Sequence, residues 1–139
     1  IKAGYTPEEI LERLDKIRAT IDELFVVDDL KNLSRGGRLS NASAFIGTML
    51  HIKPLLTFED GKIVAFDKIR SLKRAVSKVE DIALERTSKL PYKDKLRLFV
   101  FHSNDEKQAE GIKEFILDNF PGMPVDVAEF SPVIATHLG

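Results

Sequence analysis

The spacing of apolar residues near the start of the chain is typical of an amphipathic helix. Intervals of four and three separate the members of one stripe, which are Ile10, Leu14, Ile17, Ile21 and Leu24. Ahead of them, Thr6, Pro7 and Glu9 have the form of a capping box with proline in the first helical position. The pattern predicts a helix that begins at Pro7.

A short apolar run and a pair of glycines follow this helix. Residues 24–27 predict a buried strand, and Asp28 and Asp29 are placed to cap a turn of helix over residues 30–33. Gly36 and Gly37 are expected to end that turn. Residues 41–50 then predict a second helix with small residues on one side, a surface that another backbone or a thin ligand can approach closely.

The middle of the chain predicts a β-hairpin and a long helix. Asp60-Gly61 separates two apolar runs, at residues 55–58 and 63–66, and this arrangement is the strongest short-range signal for a hairpin. Ser71 is expected to cap the helix, which ends near Pro91. Its apolar stripe consists of Leu72, Ala75, Val76, Val79, Ile82 and Ala83.

The last third predicts a strand, a helix and a second strand. Residues 96–101 form a buried strand, residues 103–106 a capping box, and residues 125–130 the next strand, with the helix ending at Pro121-Gly122. Strands joined through a helix are expected to be parallel. We expect the closing residues to continue the final strand run toward a sheet edge.

Taken together, these elements predict the fold class. Helices alternate with strands, and one hairpin is antiparallel. This order indicates a single α/β domain over residues 1–139, with a mixed sheet that contains the β-hairpin and the βαβ unit and is covered by helices.

Composition and charge exclude several classes of protein. The chain has 139 residues, of which 43% are hydrophobic, enough for one globular domain with a core. A net charge of -1 argues against a nucleic-acid binder. The absence of cysteine excludes disulfides, Cys-ligated zinc and thiol catalysis, and it fits a cytoplasmic protein. The apolar runs are too short to span a membrane.

Both ends of the sequence suggest a piece of a longer protein. The chain opens on Ile1 without a methionine, and it closes on Thr136-His137-Leu138-Gly139 within a largely apolar stretch, where a solvated tail would be usual. We therefore expect a fragment.

Two interpretations of Ser34-Arg35-Gly36-Gly37-Arg38 are open. In the first, the glycines turn the backbone so that Arg38 and free N–H groups at the next helix start hold a carboxylate or phosphate. In the second, the glycines form a helix C-cap and the arginines are solvated. The pattern of residues does not choose between them.

The three histidines lie on separate predicted elements, without the short spacing of a metal site. His51 is predicted to close a helix. His102 ends a predicted strand, where a structural role is common. His137 is predicted at a sheet edge, where α/β proteins place their sites, and it is a candidate ligand residue.

A basic cluster follows the predicted hairpin and consists of Lys68, Arg70, Lys73 and Arg74. Such a cluster is commonly a solvated face. Because lysine is unfavourable at a helix amino end, the cluster also suggests a surface for an acidic partner.

No catalytic motif is present in the sequence. It lacks a nucleophile elbow, a Walker loop, and paired histidine and carboxylate at metal spacing. The residues alone therefore indicate an α/β domain that binds an anion or another ligand, with no catalytic residue and no metal.

The chain resembles the carboxyl-terminal half of proteins in the DegV family. The resemblance rests on residues 27–39, which read Val-Asp-Asp-Leu-Lys-Asn-Leu-Ser-Arg-Gly-Gly-Arg-Leu, on Ile46-Gly47 and on residues 50–56, which read Leu-His-Ile-Lys-Pro-Leu-Leu. The turn at residues 59–63, the stretch Lys68-Ile69-Arg70 and the closing Thr136-His137-Leu138-Gly139 follow in the expected order.

This resemblance implies a non-catalytic, cytoplasmic bacterial protein that binds a long-chain fatty acid between two domains. It offers the carboxylate to a fatty acid kinase for acyl-phosphate formation, needs no cofactor, and allows transient membrane contact. The amino-terminal domain, which this sequence lacks, would share the carboxylate.

The resemblance also implies roles for particular residues. Arg38 and His137 would bind the fatty acid carboxylate, and Arg70 and Lys73 would face the kinase. The acyl chain would be lined by Ala42, Phe45, Ile46, Met49 and Leu50. The alternative function is a small-anion or phosphate-binding regulatory α/β domain that binds no lipid.

Overall fold

The computed structural model describes residues 2–28, 30–40 and 52–138. Its strands form an antiparallel sheet in the order β1-β2-β3 and a parallel pair, β4-β5. The α/β class, the hairpin and the parallel strand–helix–strand unit are confirmed, but among the described residues the hairpin and this unit lie in two sheets and not in one mixed sheet. The elements are α1 (Pro7–Arg18), β1 (Phe25–Val26), α2 (Lys31–Arg35), β2 (Lys53–Glu59), β3 (Lys62–Ile69), α3 (Leu72–Lys89), a 3₁₀ turn (Lys93–Lys95), β4 (Leu98–His102), α4 (Glu106–Asn119), β5 (Val125–Glu129) and α5 (Pro132–Leu138).

The hairpin forms because Asp60 and Gly61 adopt left-handed backbone angles. Their φ values are 50° and 73°, the geometry that a two-residue type I′ turn requires. The two strands pair from the Glu59–Lys62 end of the turn to Lys53 opposite Ile69. The hairpin prediction is confirmed in position, and both strands are longer than the predicted runs.

Strand β2 is buried on both of its faces. Leu55 and Leu56 are neighbours, and each has 0% of its surface exposed. Successive side chains in a strand point to opposite faces, so each face needs its own cover. Leu56 packs in a cluster that includes Leu33 and Leu39, with Leu138 against it. Helix α3, which packs against all three strands of this sheet, covers the other face.

The predicted starts of α1 and α3 are confirmed by their polar caps. Thr6 and Glu9 form the reciprocal capping box at the start of α1. The hydroxyl of Ser71 accepts the backbone N–H of Arg74 at 3.3 Å at the start of α3. The capping box predicted over residues 103–106 was wrong, because the cap at the start of α4 is Asp105, whose carboxylate accepts the N–H of Gln108 at 3.2 Å.

The apolar stripe of α1 is shorter than predicted, and it is exposed. The helix ends at Arg18, because the N–H and the hydroxyl of Thr20 both bond to the carbonyl of Ile17. Ile21 and Leu24 therefore lie outside the helix. Leu14 and Ile17 are 53% and 56% exposed, and none of the helix's residues is buried. The prediction of one continuous stripe was wrong beyond Ile17.

Helix α2 ends in a Schellman motif. Gly37 adopts a φ of 66°, its N–H donates to the carbonyl of Ser34 at 3.1 Å, and the N–H of Arg38 donates to the carbonyl of Leu33 at 2.9 Å. The prediction that Gly36 and Gly37 end this helix is confirmed.

The predicted aspartate cap of α2 was wrong for Asp28. Its carboxylate pairs with Lys53 Nζ at 2.6 Å instead, and the cap position is occupied by Leu30, which makes no side-chain cap. The Asp28 carboxylate thus binds the ammonium of Lys53, at the start of β2, and not the helix N–H groups. Asp29, the predicted helix at 41–50 and His51 lie outside the described residues.

Two predictions for the last third need correction. The β4 strand exists, but Phe99 and Phe101 are 55% and 50% exposed, because α4 covers only the opposite face. The closing residues form α5, not a strand, since the Ala135 N–H donates to the Ser131 carbonyl and the Thr136 hydroxyl donates to the Pro132 carbonyl. Proline at the first helical position favoured the helix over the β-branched residues that suggested a strand.

We predict that Gly37→Ala destabilises the protein and that Gly111→Ala stabilises it. A non-glycine residue in the left-handed region costs about 1–2 kcal/mol, and Gly37 sits there at a φ of 66°. Gly111 lies inside α4, and an added methyl group there would meet no atom within 4 Å. Alanine at that helical position should therefore gain roughly 0.5–1 kcal/mol. Urea unfolding measures the change in the free energy of unfolding for each variant. Changes of the same sign would contradict this prediction.

Candidate functional site

Arg38 follows the C-cap of α2 and begins a short segment that is bonded to the antiparallel sheet. Leu39, which follows it, is 5% exposed and forms an isolated parallel bridge with Ile63 of β3. The N–H of Ser40 donates to the Ile63 carbonyl at 3.0 Å. The sheet thus holds Leu39 and Ser40, the two residues after Arg38, so the Arg38 side chain projects from a fixed backbone.

This geometry bears on the two interpretations of the glycine-arginine motif. The C-cap interpretation is confirmed by the Schellman bonds of Gly37 and Arg38. The Arg38 side chain is exposed, and its Nη1 donates to the Gly36 carbonyl. A guanidinium has five N–H donors, so this bond leaves donors for an anion. The N–H of Ser40 is already used and offers nothing to an anion.

His137 lies on a helix that packs against α2. It is half-buried near the end of α5, and its neighbour Leu138 packs against the cluster that contains Leu33 and Leu39. The elements that carry Arg38 and His137 therefore enclose one apolar core. No hydrogen bond joins the two side chains in the described part of the chain, and both retain donors for a third group.

An ion pair that the sequence did not reveal fixes the approach to α2. Lys53 Nζ lies 2.6 Å from a carboxylate oxygen of Asp28 and 3.2 Å from the Asp28 carbonyl. The Lys53 side chain is 24% exposed, so this partly buried contact ties the start of β2 to the loop before α2. The two residues are 25 positions apart, and no local sequence pattern signals such a pair.

The basic cluster lies where β3 leads into α3. Arg70 follows the last residue of β3, Lys73 and Arg74 are in the first turn of α3, and all three are exposed. Among the described residues these three form no salt bridge, whereas Arg86, farther along the same helix, pairs with Asp22. The cluster leaves positive charge available at the surface.

A shallow groove between α3 and α4 adjoins this cluster. Its volume is about 480 Å³, and its lining residues are Leu72, Lys73, Val76, Ser77, Glu80 and Gln108. Partial burial, and then the neighbouring charge of Asp81, raise the pKa of Glu80 above its ordinary value. Lys73 therefore connects the basic cluster to a concave and partly apolar surface.

Strand β3 separates the two candidate regions. Leu39 pairs with Ile63, near the start of the strand, and Arg70 follows its end. Seven residues of strand at about 3.3 Å each place the two regions roughly 20 Å apart. A standard interface of roughly 800 Å² per partner is about 30 Å across, so one partner protein could cover both regions.

Other candidate features have structural roles or lie outside the described residues. His102 ends β4, and its Nδ1 accepts the N–H of Asp105 at 3.3 Å, which supports a structural role. Within residues 2–28, 30–40 and 52–138, no group of His, Asp and Glu could hold a metal ion. No helix among them is long and apolar enough to cross a membrane. The predicted acyl-chain residues Ala42, Phe45, Ile46, Met49 and Leu50 lie outside this part of the chain.

Comparison with known proteins identifies relatives over the whole chain. A DegV domain-containing protein of Listeria innocua is 44% identical over 132 residues, which cover 95% of this chain and 46% of the relative. The structure of DegV from Bacillus subtilis, described as a fatty acid binding protein, is 40% identical with a TM-score of 0.79, and the match covers 99% of this chain and 48% of that one.

A more distant structure shows the same fold. The Fatty Acid Kinase B3 protein of Streptococcus pneumoniae, loaded with linoleic acid, is 21% identical with a TM-score of 0.79. That match covers 99% of this chain and 47% of the other. The chain spans about half the length of the curated relatives it matches.

A family model described as "Uncharacterised protein, DegV family" matches residues 1–139, the entire sequence. This match, the Listeria and Bacillus relatives and the shared fold agree with the glycine-glycine-arginine signature of residues 27–39. The chain therefore belongs to the DegV family.

Proposed function

We propose that this chain is the carboxyl-terminal half of a long-chain fatty-acid-binding protein, which presents the acyl carboxylate to a fatty acid kinase for acyl-phosphate formation. The observation that carries this proposal is its family membership over all 139 residues, together with a 40%-identical relative described as a fatty acid binding protein. The chain acts as a carrier of substrate and not as the catalyst. The other half of the carboxylate site comes from an amino-terminal domain.

Arg38 and His137 bind the carboxylate in this proposal. An ionised carboxylate that leaves water without partners costs several kcal/mol, so a pocket for a fatty acid needs donors at the head group. The guanidinium of Arg38 supplies donors from a backbone fixed by the Schellman cap and the bridge to Ile63. His137 supplies a second polar group from the neighbouring helix α5.

The kinase docks on the surface that contains Arg70 and Lys73. Two features of the described residues support this part of the proposal: the exposed cations without salt bridges, and the groove that Lys73 lines. Positive charge on a rim speeds encounter with an acidic partner. A kinase bound here could reach the carboxylate region roughly 20 Å away along β3.

Ligand extraction tests the proposed function as a whole. We expect the full-length protein, purified under native conditions and extracted with organic solvent, to release a long-chain fatty acid that mass spectrometry identifies. Release of a phosphorylated or other polar metabolite instead would favour the small-anion function and would contradict the lipid proposal.

We predict that Arg38→Ala and His137→Ala, each in the full-length protein, weaken binding of a long-chain fatty acid. Removing a donor from a buried polar group costs roughly 1–3 kcal/mol, which is about 5- to 150-fold in Kd. Calorimetry with the acid and with the fatty alcohol of equal length separates head-group from tail effects, because the alcohol should bind each variant almost as it binds the parent. Arg35→Ala, an exposed arginine of the same motif, is the control and should change neither affinity. Undiminished affinity of both variants for the acid would place the carboxylate elsewhere.

We predict that Arg70→Glu leaves fatty acid affinity unchanged and lowers the rate of acyl-phosphate formation by the kinase. Reversal of one exposed charge at a steered interface reduces kcat/KM by roughly tenfold at low salt. The effect should shrink as ionic strength rises, because salt screens exposed charges. Lys78→Glu, also exposed on α3 but absent from the groove lining, is the matched control. An Arg70→Glu variant that no longer binds fatty acid would make Arg70 a ligand residue and refute the docking role.

A further inference from the structure

The outer face of the parallel pair β4-β5 carries stacked and exposed aromatic rings. The centroids of Phe99 and Phe101 are 6.1 Å apart with ring planes inclined by 17°, and those of Phe101 and Phe130 are 5.3 Å apart with planes inclined by 19°. Phe99 is 55% exposed and Phe101 is 50% exposed. Three rings in contact thus form a continuous apolar surface, named here the phenylalanine face.

The opposite face of the same strands is covered. Val100 points away from Phe99 and Phe101, and it packs with Ala109 and Ile116 of α4. Among the described elements, α4 is the one that packs against both β4 and β5. Parallel sheets occur almost only with both faces covered. The antiparallel sheet meets that condition on both faces of β2, whereas within the described residues the parallel pair meets it on one face.

The phenylalanine face has the composition of a protein interface. Its centre is aromatic, and one edge is polar: Arg97 Nε donates to Asp126 Oδ2 at 2.6 Å, and the Arg97 guanidinium lies 5.6 Å from the Phe99 ring centroid. This hydrogen bond lowers the pKa of Asp126, because it stabilises the ionised carboxylate. An aromatic centre, a nearby arginine and a polar rim are features of surfaces where one protein packs on another.

We infer that the phenylalanine face is where the remaining half of the full-length protein packs. Relatives of this chain are about twice its length, so a further polypeptide of similar size belongs to the same protein. A segment attached through a linker acts at an effective concentration on the order of millimolar. This gives the tethered segment an advantage over a second copy of the protein, which is present at lower concentration. This inference does not depend on what the protein binds.

Cysteine accessibility tests the assignment directly, because this chain contains no cysteine of its own. Phe101→Cys and Phe99→Cys report on the face, Tyr92→Cys serves as the exposed control and Ala109→Cys as the buried one, since these two side chains are 39% and 2% exposed. Each variant is made in the 139-residue chain and in the full-length protein, and maleimide labelling is followed peptide by peptide with mass spectrometry. Because Ala109 is buried in the folded protein, slow labelling of Ala109→Cys shows that a preparation is folded.

In the 139-residue chain, Phe101→Cys and Phe99→Cys should react as fast as Tyr92→Cys. In the dilute full-length protein, freed of lipid, both should react at least tenfold more slowly than Tyr92→Cys. Equal rates in the full-length protein would overturn the inference, as would protection already complete in the 139-residue chain. Protection that appears only at high protein concentration would assign the face to a second copy, and protection that requires added fatty acid would assign it to the ligand. Either result would also overturn the inference.

Discussion

The structure depends on one strand that is buried from both sides. Leu55 and Leu56 of β2 have no exposed surface, and they face opposite ways. Truncating one such leucine to alanine typically costs about 2–5 kcal/mol, a large part of the 5–15 kcal/mol by which a domain is stable. The chain must therefore hold α3 on one face and α2 with α5 on the other. The positions of Arg38 and His137 follow from this requirement, since each is adjacent to a leucine of the cluster on the second face.

The sequence predicted the features that are decided locally. Asp60-Gly61 determined the hairpin, Thr6 and Ser71 determined helix starts, and Gly37 ended a helix, because each acts through the backbone of residues within a few positions. The predictions failed where contacts between residues far apart in the sequence determine the structure. Asp28 was assigned to a cap, but Lys53, brought alongside by strand pairing, binds its carboxylate.

The sequence singled out the candidate residues Arg38 and His137, but it placed His137 on the wrong kind of element. His137 was expected at the edge of a strand run, yet it lies on α5, where packing against α2 brings it near the arginine motif. For Arg38, the C-cap interpretation concerns the backbone, and the anion interpretation concerns the guanidinium group. The backbone of Gly37 and Arg38 caps the helix, and the same cap orients a guanidinium that has donors left. The sequence alone could not choose between the C-cap and the anion interpretation, because both require the same glycines.

The exposed phenylalanine rings also bear on how the protein reaches its folded state. Strand β4, helix α4 and strand β5 follow one another directly, so this unit can assemble from local contacts before more distant parts of the chain are in place. From then until its outer face is covered, the unit presents a contiguous aromatic patch of the kind that drives self-association and attracts chaperones. We therefore expect the time for which this face stays uncovered to influence how much of the newly made protein aggregates.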